Sequence, residues 1–404
     1  MYCHYMFRTN WMDSAPLLPI ALAWVLGIIL SPVISLSFPL WLCLEGAVLV
    51  VLMVIKRKPL LSSFLLLIAV FLFGGLRTSL PPAPRSQDDA LYRTAQEWRD
   101  RMLGEYQRLG LQGDPLAVVS AMTLGDKSQL SREVRQDYSV SSAAHVLALS
   151  GLHLSILYGI LLLVFPHRRY PLVTQLVLLS TIWSYVLIVG MAPSIVRAAT
   201  MVSVCSLASL GHRKSLSINT LSFAALVMLT VDPLSLRDAG FQMSFLAVLS
   251  ILLFYQPLHQ LLHPCHPLLQ WLWGMVSVTV AAQVGMIPIV MYYFHRFSCY
   301  FLLANMVIVP VATLIIYLSL LLFLTAPCPM LQLWVAKALQ GVSDWMNATV
   351  SGVAGLPHAS IEGIHLTLPQ LILLYVFLLS TAVWIHRKAS VADESRLETS
   401  KFLR

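Results

Sequence analysis

Two imidazoles, a hydroxyl and a glycine stand within nine residues of one another at His145, Ser150, Gly151 and His153, inside the apolar run 143–165. Ionisable groups within a membrane span cost several kcal/mol unless they face a polar interior, so the default reading is a pathway through the bilayer. Drawn as a helix at 100° per residue, Ser142, His145, Leu149 and His153 fall within an arc of ~80°, with Ser150 at its edge. Gly151, lacking a side chain, suits close helix approach or local unwinding. The bland alternative is a pair of histidines hydrogen-bonded to neighbouring helices, and the residues alone leave both open.

Two further constellations follow. In Gly190-Met191-Ala192-Pro193-Ser194-Ile195-Val196-Arg197, Ser194 is expected to cap a helix with Arg197 one turn in. A helix N-terminus with an arginine is a sensible anion site, because free N–H groups and the positive dipole end converge there. The competing role for Arg197 is pairing with Asp238. In Asp232-Pro233-Leu234-Ser235-Leu236-Arg237-Asp238-Ala239-Gly240-Phe241-Gln242, Asp-Pro ends one helix and Asp238 caps the next. Gln242 then bonds across helices, which makes a structural hinge; ion or proton coupling is the sharper reading. Gln283 and Asn305 either line a cavity or bridge helices. Pro288 and Pro310 fall mid-span and favour kinked or discontinuous helices. Gly125-Asp126 ends a short apolar helix.

Other groups carry less. His259, His263 and His266 beside Cys265 have ligand-like spacing, but Pro264 and Pro267 break any helix there, and no metal site is expected. Glu45 reads as lying near the outer end of its span, where partial hydration accounts for it. No zincin, Walker or nucleophile-elbow motif occurs. Ser150 and His153 on one helix would diverge without an orienting acid. No catalytic residue, cofactor or enzyme activity is therefore expected.

The elements that position these groups follow from composition. The 404 residues are 58% apolar and only 11% charged, with a net charge of +8; soluble chains carry roughly 25% charged residues. Apolar runs near the ~20-residue spanning length lie at 16–36, 38–55, 60–76, 143–165, 171–190, 194–211, 215–231, 239–256, 268–291, 300–324 and 366–385. A weaker run covers 331–355, which either crosses or lies at the interface. The fold class is all-α, a polytopic bundle of about eleven spans (ten to twelve). Basic clusters at Lys56–Lys58, His167–Arg169 and His212–Lys214 mark the cytoplasmic side, which puts the N-terminus inside and 77–142 outside. Arg387 and Lys388 fall inside only if 331–355 crosses. Leu91, Ala95, Trp98, Met102, Tyr106 and Leu109 give an amphipathic extracytoplasmic helix, with Arg93–Glu97, Glu97–Arg101 and Arg101–Glu105 pairing on its other face. Asp114-Pro115 and Ser131 open two more short helices. The six scattered cysteines form no scaffold, and no cleavable signal is evident.

His-Val-Leu-Ala-Leu-Ser-Gly-Leu-His at 145–153 resembles the hallmark of the ComEC/Rec2-type competence family. Leu-Gly-Asp at 124–126, the Gly…Ser-x-x-Arg-Ala element at 190–198 and Asp-Pro…Gly-Phe-Gln-Met-Ser at 232–244 are similar to that family's elements, in its order. So are Ala282-Gln283, Pro288, Phe297-Ser298, Leu303-Ala304-Asn305 and Pro310. The resemblance implies an inner-membrane channel for uptake of single-stranded DNA in natural transformation. Its partners would be single-stranded DNA and membrane lipid, with a separate DNA receptor, nuclease and cytoplasmic translocation ATPase; nothing sets the oligomeric state. The organisation expected is N-terminal spans at 1–76, an amphipathic linker at 77–115, the channel domain at 116–385 and a polar tail at 386–404. Fuller members carry OB-type and metallo-β-lactamase-like domains, for which 77–115 and the tail are too short, so the chain reads as the channel module alone. A transporter of another anionic or lipid-linked solute is the alternative.

Overall fold

The computed structural model describes residues 15–55, 58–80, 90–164, 171–210 and 217–402. Lys56, Arg57, His167–Arg169 and His212–Lys214, the basic loops used for orientation, lie outside the described residues. Long uncharged stretches rich in Leu, Ile and Val satisfy their backbone polar groups within helices, the solution available in hydrocarbon. The described chain is accordingly helical: α1 Leu17–Ile34, α2 Phe38–Val54, α3 Pro59–Ser79, α4 Ala90–Arg108, α5 Gly113–Leu124, α6 Arg132–Val140, α7 Gly151–Val164, α8 Pro171–Ile188, α9 Pro193–Leu210, α10 Ile218–Val231, α11 Ala239–His259, α12 Pro267–Phe294, α13 Phe301–Leu324, α14 Pro329–Ala354 and α15 Leu368–Phe402. Seven of these are long and apolar enough to cross a membrane: α1, α3, α8, α11, α12, α13 and the first part of α15. Five more apolar helices (α2, α5, α7, α9 and α10) are shorter. The protein is a multi-pass membrane protein.

The signature departs from expectation. Residues 141–150 are turns and irregular chain, and α7 starts only at Gly151. The helical arc of Ser142, His145, Leu149 and His153 therefore does not exist. Ser142 adopts the left-handed φ of +67°, and Ala143, Val146 and Leu147 are buried against α5, α13 and α14. A short apolar stretch reads alike as helix or buried loop; here the core around α5, α13 and α14 supplies the apolar contacts of Ala143, Val146 and Leu147. Pro288 and Pro310 do not interrupt α12 or α13, which run on through them.

α5 is buried along nearly its whole length, from Pro115 to Leu124. It stops at Gly125, whose φ of +74° closes the last turn. A Cβ there would stand 2.7 Å from Leu149 Cδ1 and 3.3 Å from the Val189 carbonyl. One glycine thus joins the end of α5, the signature and the α8–α9 turn. Ser131 caps α6 by accepting the Val134 N–H. On α4, Ala95 and Tyr106 are buried, and Arg101 pairs with Glu97 at 4.0 Å. Trp98 instead stays half-exposed with Arg101 over its ring, and Glu105 turns to Arg108 at 3.3 Å and Gln332 at 3.2 Å.

Two three-residue strands, β1 Arg296–Ser298 and β2 Ser360–Glu362, pair antiparallel. They tie the start of α13 to the end of α14, so that helical hairpin returns the chain to the side it left. Arg296 secures the clasp at 2.9 Å to Glu362 and 2.9 Å to Ser139 of α6. Glu45 sits midway along α2, buried, rather than near its end.

Candidate functional site

Five helices close a ring by successive contact: α7 on α9, α9 on α11, α11 on α12, α12 on α13, and α13 back on α7. Their polar residues gather at one end of it. Ser150 precedes α7, and its Oγ lies 2.9 Å from His153 Nδ1, which also accepts the Ser150 N–H at 3.3 Å. The ring of the third helical residue thus accepts the N–H of the residue before the helix, one half of a capping box. The two side chains therefore meet, contrary to the expectation that they diverge, because Ser150 is a cap and not part of the helix. With Nδ1 accepting, the neutral ring carries its proton on Nε2. His153 is buried, and that Nε2 has no partner among the described residues.

Next round the ring, Gly151 packs beside Ala198, with 3.8 Å from its notional Cβ to the alanine's. One residue earlier on α9, Arg197 is buried and gives Nη1 to Asp238 Oδ2 at 2.9 Å. The pairing alternative for Arg197 is thus the one adopted. Ser194 falls inside the first turn of α9 rather than at its cap; the Ala192 carbonyl accepts the first helical bonds there. Asp238 caps α11, accepting the N–H groups of Gly240 and Phe241 at 3.3 and 3.2 Å. Gly240 leaves room for the guanidinium, since a Cβ would stand 2.7 Å from Arg197 Nη2.

Gln242, one turn into α11, donates to the Leu236 carbonyl at 2.9 Å and accepts from Tyr293 Oη at 3.0 Å. Asp232 ends α10 and accepts from Leu234 N–H and Ser235 Oγ across Pro233. Asn305, one turn into α13, is buried with its Oδ1 unpartnered among the described residues. His153, Arg197, Gln242, Tyr293 and Asn305 therefore occupy one layer near the signature end. Gln283 lies outside it, about 15 Å along α12 from Tyr293 at 1.5 Å per residue.

His145 hangs from the irregular segment, with Nδ1 2.9 Å from the Ser142 carbonyl. Its side chain is exposed. Asp126 is used locally, accepting the Ser128 N–H. His266 caps α12 through Leu268 N–H. Tyr293 escaped sequence reasoning, because an aromatic at a helix end is ordinary and nothing in sequence links it to Gln242.

The layer combines a guanidinium, neutral imidazole, amides and hydroxyls at the N-termini of α7 and α9. Such a set can hold anions and hydrogen-bond polar solutes.

A profile described as "Competence protein" matches residues 122–388. The chain is 30% identical over 271 residues to ComE operon protein 3 of Bacillus subtilis, covering 65% of this chain and 33% of that protein. It is 25% identical over 219 residues to Recombination protein 2 of Haemophilus influenzae, covering 50% and 27% respectively. An uncharacterized protein of Aquifex aeolicus is 33% identical over 138 residues, covering 34% of this chain and 33% of the relative. The chain spans about a third of the length of these relatives. No solved structure matches it. The match covers every polar residue of the ring layer, and the chain belongs to the Competence protein family.

Proposed function

We propose that this chain forms the membrane conduit through which single-stranded DNA enters a bacterial cytoplasm across the inner membrane. The observation that carries the reading is the ring of α7, α9, α11, α12 and α13, with its polar layer and an exposed His145 at the signature end. A single strand is held by positive charge along its backbone and by hydrogen bonds and stacking at its bases. Arg197, the two helix N-termini and Gln242 fit that chemistry. The conduit does no covalent chemistry of its own; a separate receptor, nuclease and translocation ATPase deliver, trim and pull the strand. The β1–β2 clasp, which returns the α13–α14 hairpin to its starting side, supports a crossing at 331–355, and with that crossing Arg387 and Lys388 fall on the cytoplasmic side.

The test joins uptake with access. Deleting the gene is expected to abolish internalisation of labelled DNA while surface binding persists. In a functional cysteine-free background, cysteines at His145 and Ser150 should react with small hydrophilic thiol reagents. Normal uptake without the gene, or inert cysteines in a folded protein, would overturn the conduit and favour a transporter of another solute.

A further inference from the structure

We propose that Arg197 is an exchangeable phosphodiester-binding residue: a phosphate of the passing strand takes the guanidinium from Asp238, and Asp238 reclaims it afterwards. This inference rests on the conduit reading above.

The pair is lopsided. The Arg197 side chain is 10% exposed and that of Asp238 50%, so the cation is fixed inside while its counter-ion stands in the open. Arg197 Nε is buried with no partner among the described residues, which leaves half of the guanidinium fork unused. A planar fork binds phosphate through two parallel bonds, which a single carboxylate oxygen on Nη1 does not match. Release does not strand Asp238. Its carboxylate keeps the N–H groups of Gly240 and Phe241, so it remains the cap of α11 with or without the arginine. Gly240, with no side chain, lets Nη2 pack against the first turn of α11. The N-terminus of α7 abuts α9 at Ala198, and the buried, unpartnered His153 Nε2 stands in its first turn. The guanidinium thus stands at the start of α11, one residue from the contact with the first turn of α7, with Asp238 as its counter-ion.

The experiment uses the full chain in nanodiscs of zwitterionic lipid and measures anisotropy of a labelled oligothymidylate over a salt series. Arg197→Gln should weaken binding about tenfold and reduce the slope of log affinity against log salt by about 0.7, the contribution of one single-strand phosphate. Arg197→Lys should keep the slope. Asp238→Asn, which retains a capping side chain, should tighten binding severalfold with the slope unchanged. An uncharged-backbone oligomer should not distinguish wild type from Arg197→Gln. An unchanged slope in an Arg197→Gln protein that melts like wild type overturns the proposal. Competition by phosphatidylglycerol or inorganic phosphate beyond its ionic-strength effect would assign Arg197 to a headgroup or free anion, and overturns it too. If the deletion strain still imports DNA while the slope falls as stated, the conduit fails and the phosphodiester site stands. Lost uptake with an unaltered slope gives the converse.

Discussion

Gly285 packs tightly against α11 at Ser250, and Gly285→Ala should measurably separate α11 and α12. The added Cβ would lie 2.6 Å from Ser250 Cβ and 2.7 Å from Ser250 Oγ. Carbon atoms pack at about 3.5–4.0 Å, so the helices must part by about 1 Å there. Ser250 Oγ donates to the Ala281 carbonyl at 2.6 Å across the same interface, and Tyr375 Oη donates to the Gly285 carbonyl at 2.9 Å. Overpacking of this kind costs about 1–3 kcal/mol, and weakening one buried hydrogen bond adds about 1 kcal/mol. Alanine's better helix propensity returns about 1 kcal/mol. The net expectation is a loss of about 1–3 kcal/mol, seen as a lower melting temperature in detergent. Gln242 and Tyr293 ride on the same helix pair, so DNA uptake should fall along with stability. Ser250→Gly removes the colliding Cβ, and the double variant should recover at least about 1 kcal/mol relative to additivity. A Gly285→Ala protein as stable as wild type, or a double variant that is merely additive, would refute the close-approach argument.

Other expectations concern single contacts. Ser150→Ala removes the bond between Ser150 Oγ and His153 Nδ1 and should destabilise the protein by about 1 kcal/mol, read by thermal melting, while Ser150→Thr should lose much less. Tyr293→Phe leaves Gln242 Oε1 without its donor and should cost about 1 kcal/mol, with no further loss when added to Gln242→Leu. Glu362→Ala breaks a surface ion pair and should cost under about 1 kcal/mol, whereas Arg296→Ala also releases Ser139 and should expose the β1–β2 clasp to faster proteolysis. In α6, burial and then the neighbouring Asp114 carboxylate push the Tyr138 phenol upward from its usual range. Its folded pKa thus exceeds the unfolded one, so its contribution is intact below about pH 10 and lost as pH rises beyond that. Phenolate absorbance should show no ionisation from Tyr138 between pH 9 and 11, on the order of the normal tyrosine range; equal alkaline titrations of wild type and Tyr138→Phe would agree.

Much of the helical plan was legible in sequence, because hydrophobic runs, proline starts and capping residues act locally. Gly125 stopping α5, Ser131 opening α6 and Asp238 capping α11 needed only their neighbours in the chain. The capping and pairing alternatives for Asp238, Gln242 and Arg197 were likewise within reach, since those residues are polar groups that an apolar bundle must satisfy. What sequence could not decide was which apolar stretch becomes helix and which becomes wall-lined loop. Residues 141–150 have a span's composition, but their conformation is set by α5, α13 and α14, which arrive from distant parts of the chain. The same holds for Ser150 meeting His153, for Gly125 touching Leu149 and Val189, and for Tyr293 meeting Gln242. The ring itself is a tertiary property: composition tells each helix to leave water, and only side-chain packing selects its neighbours.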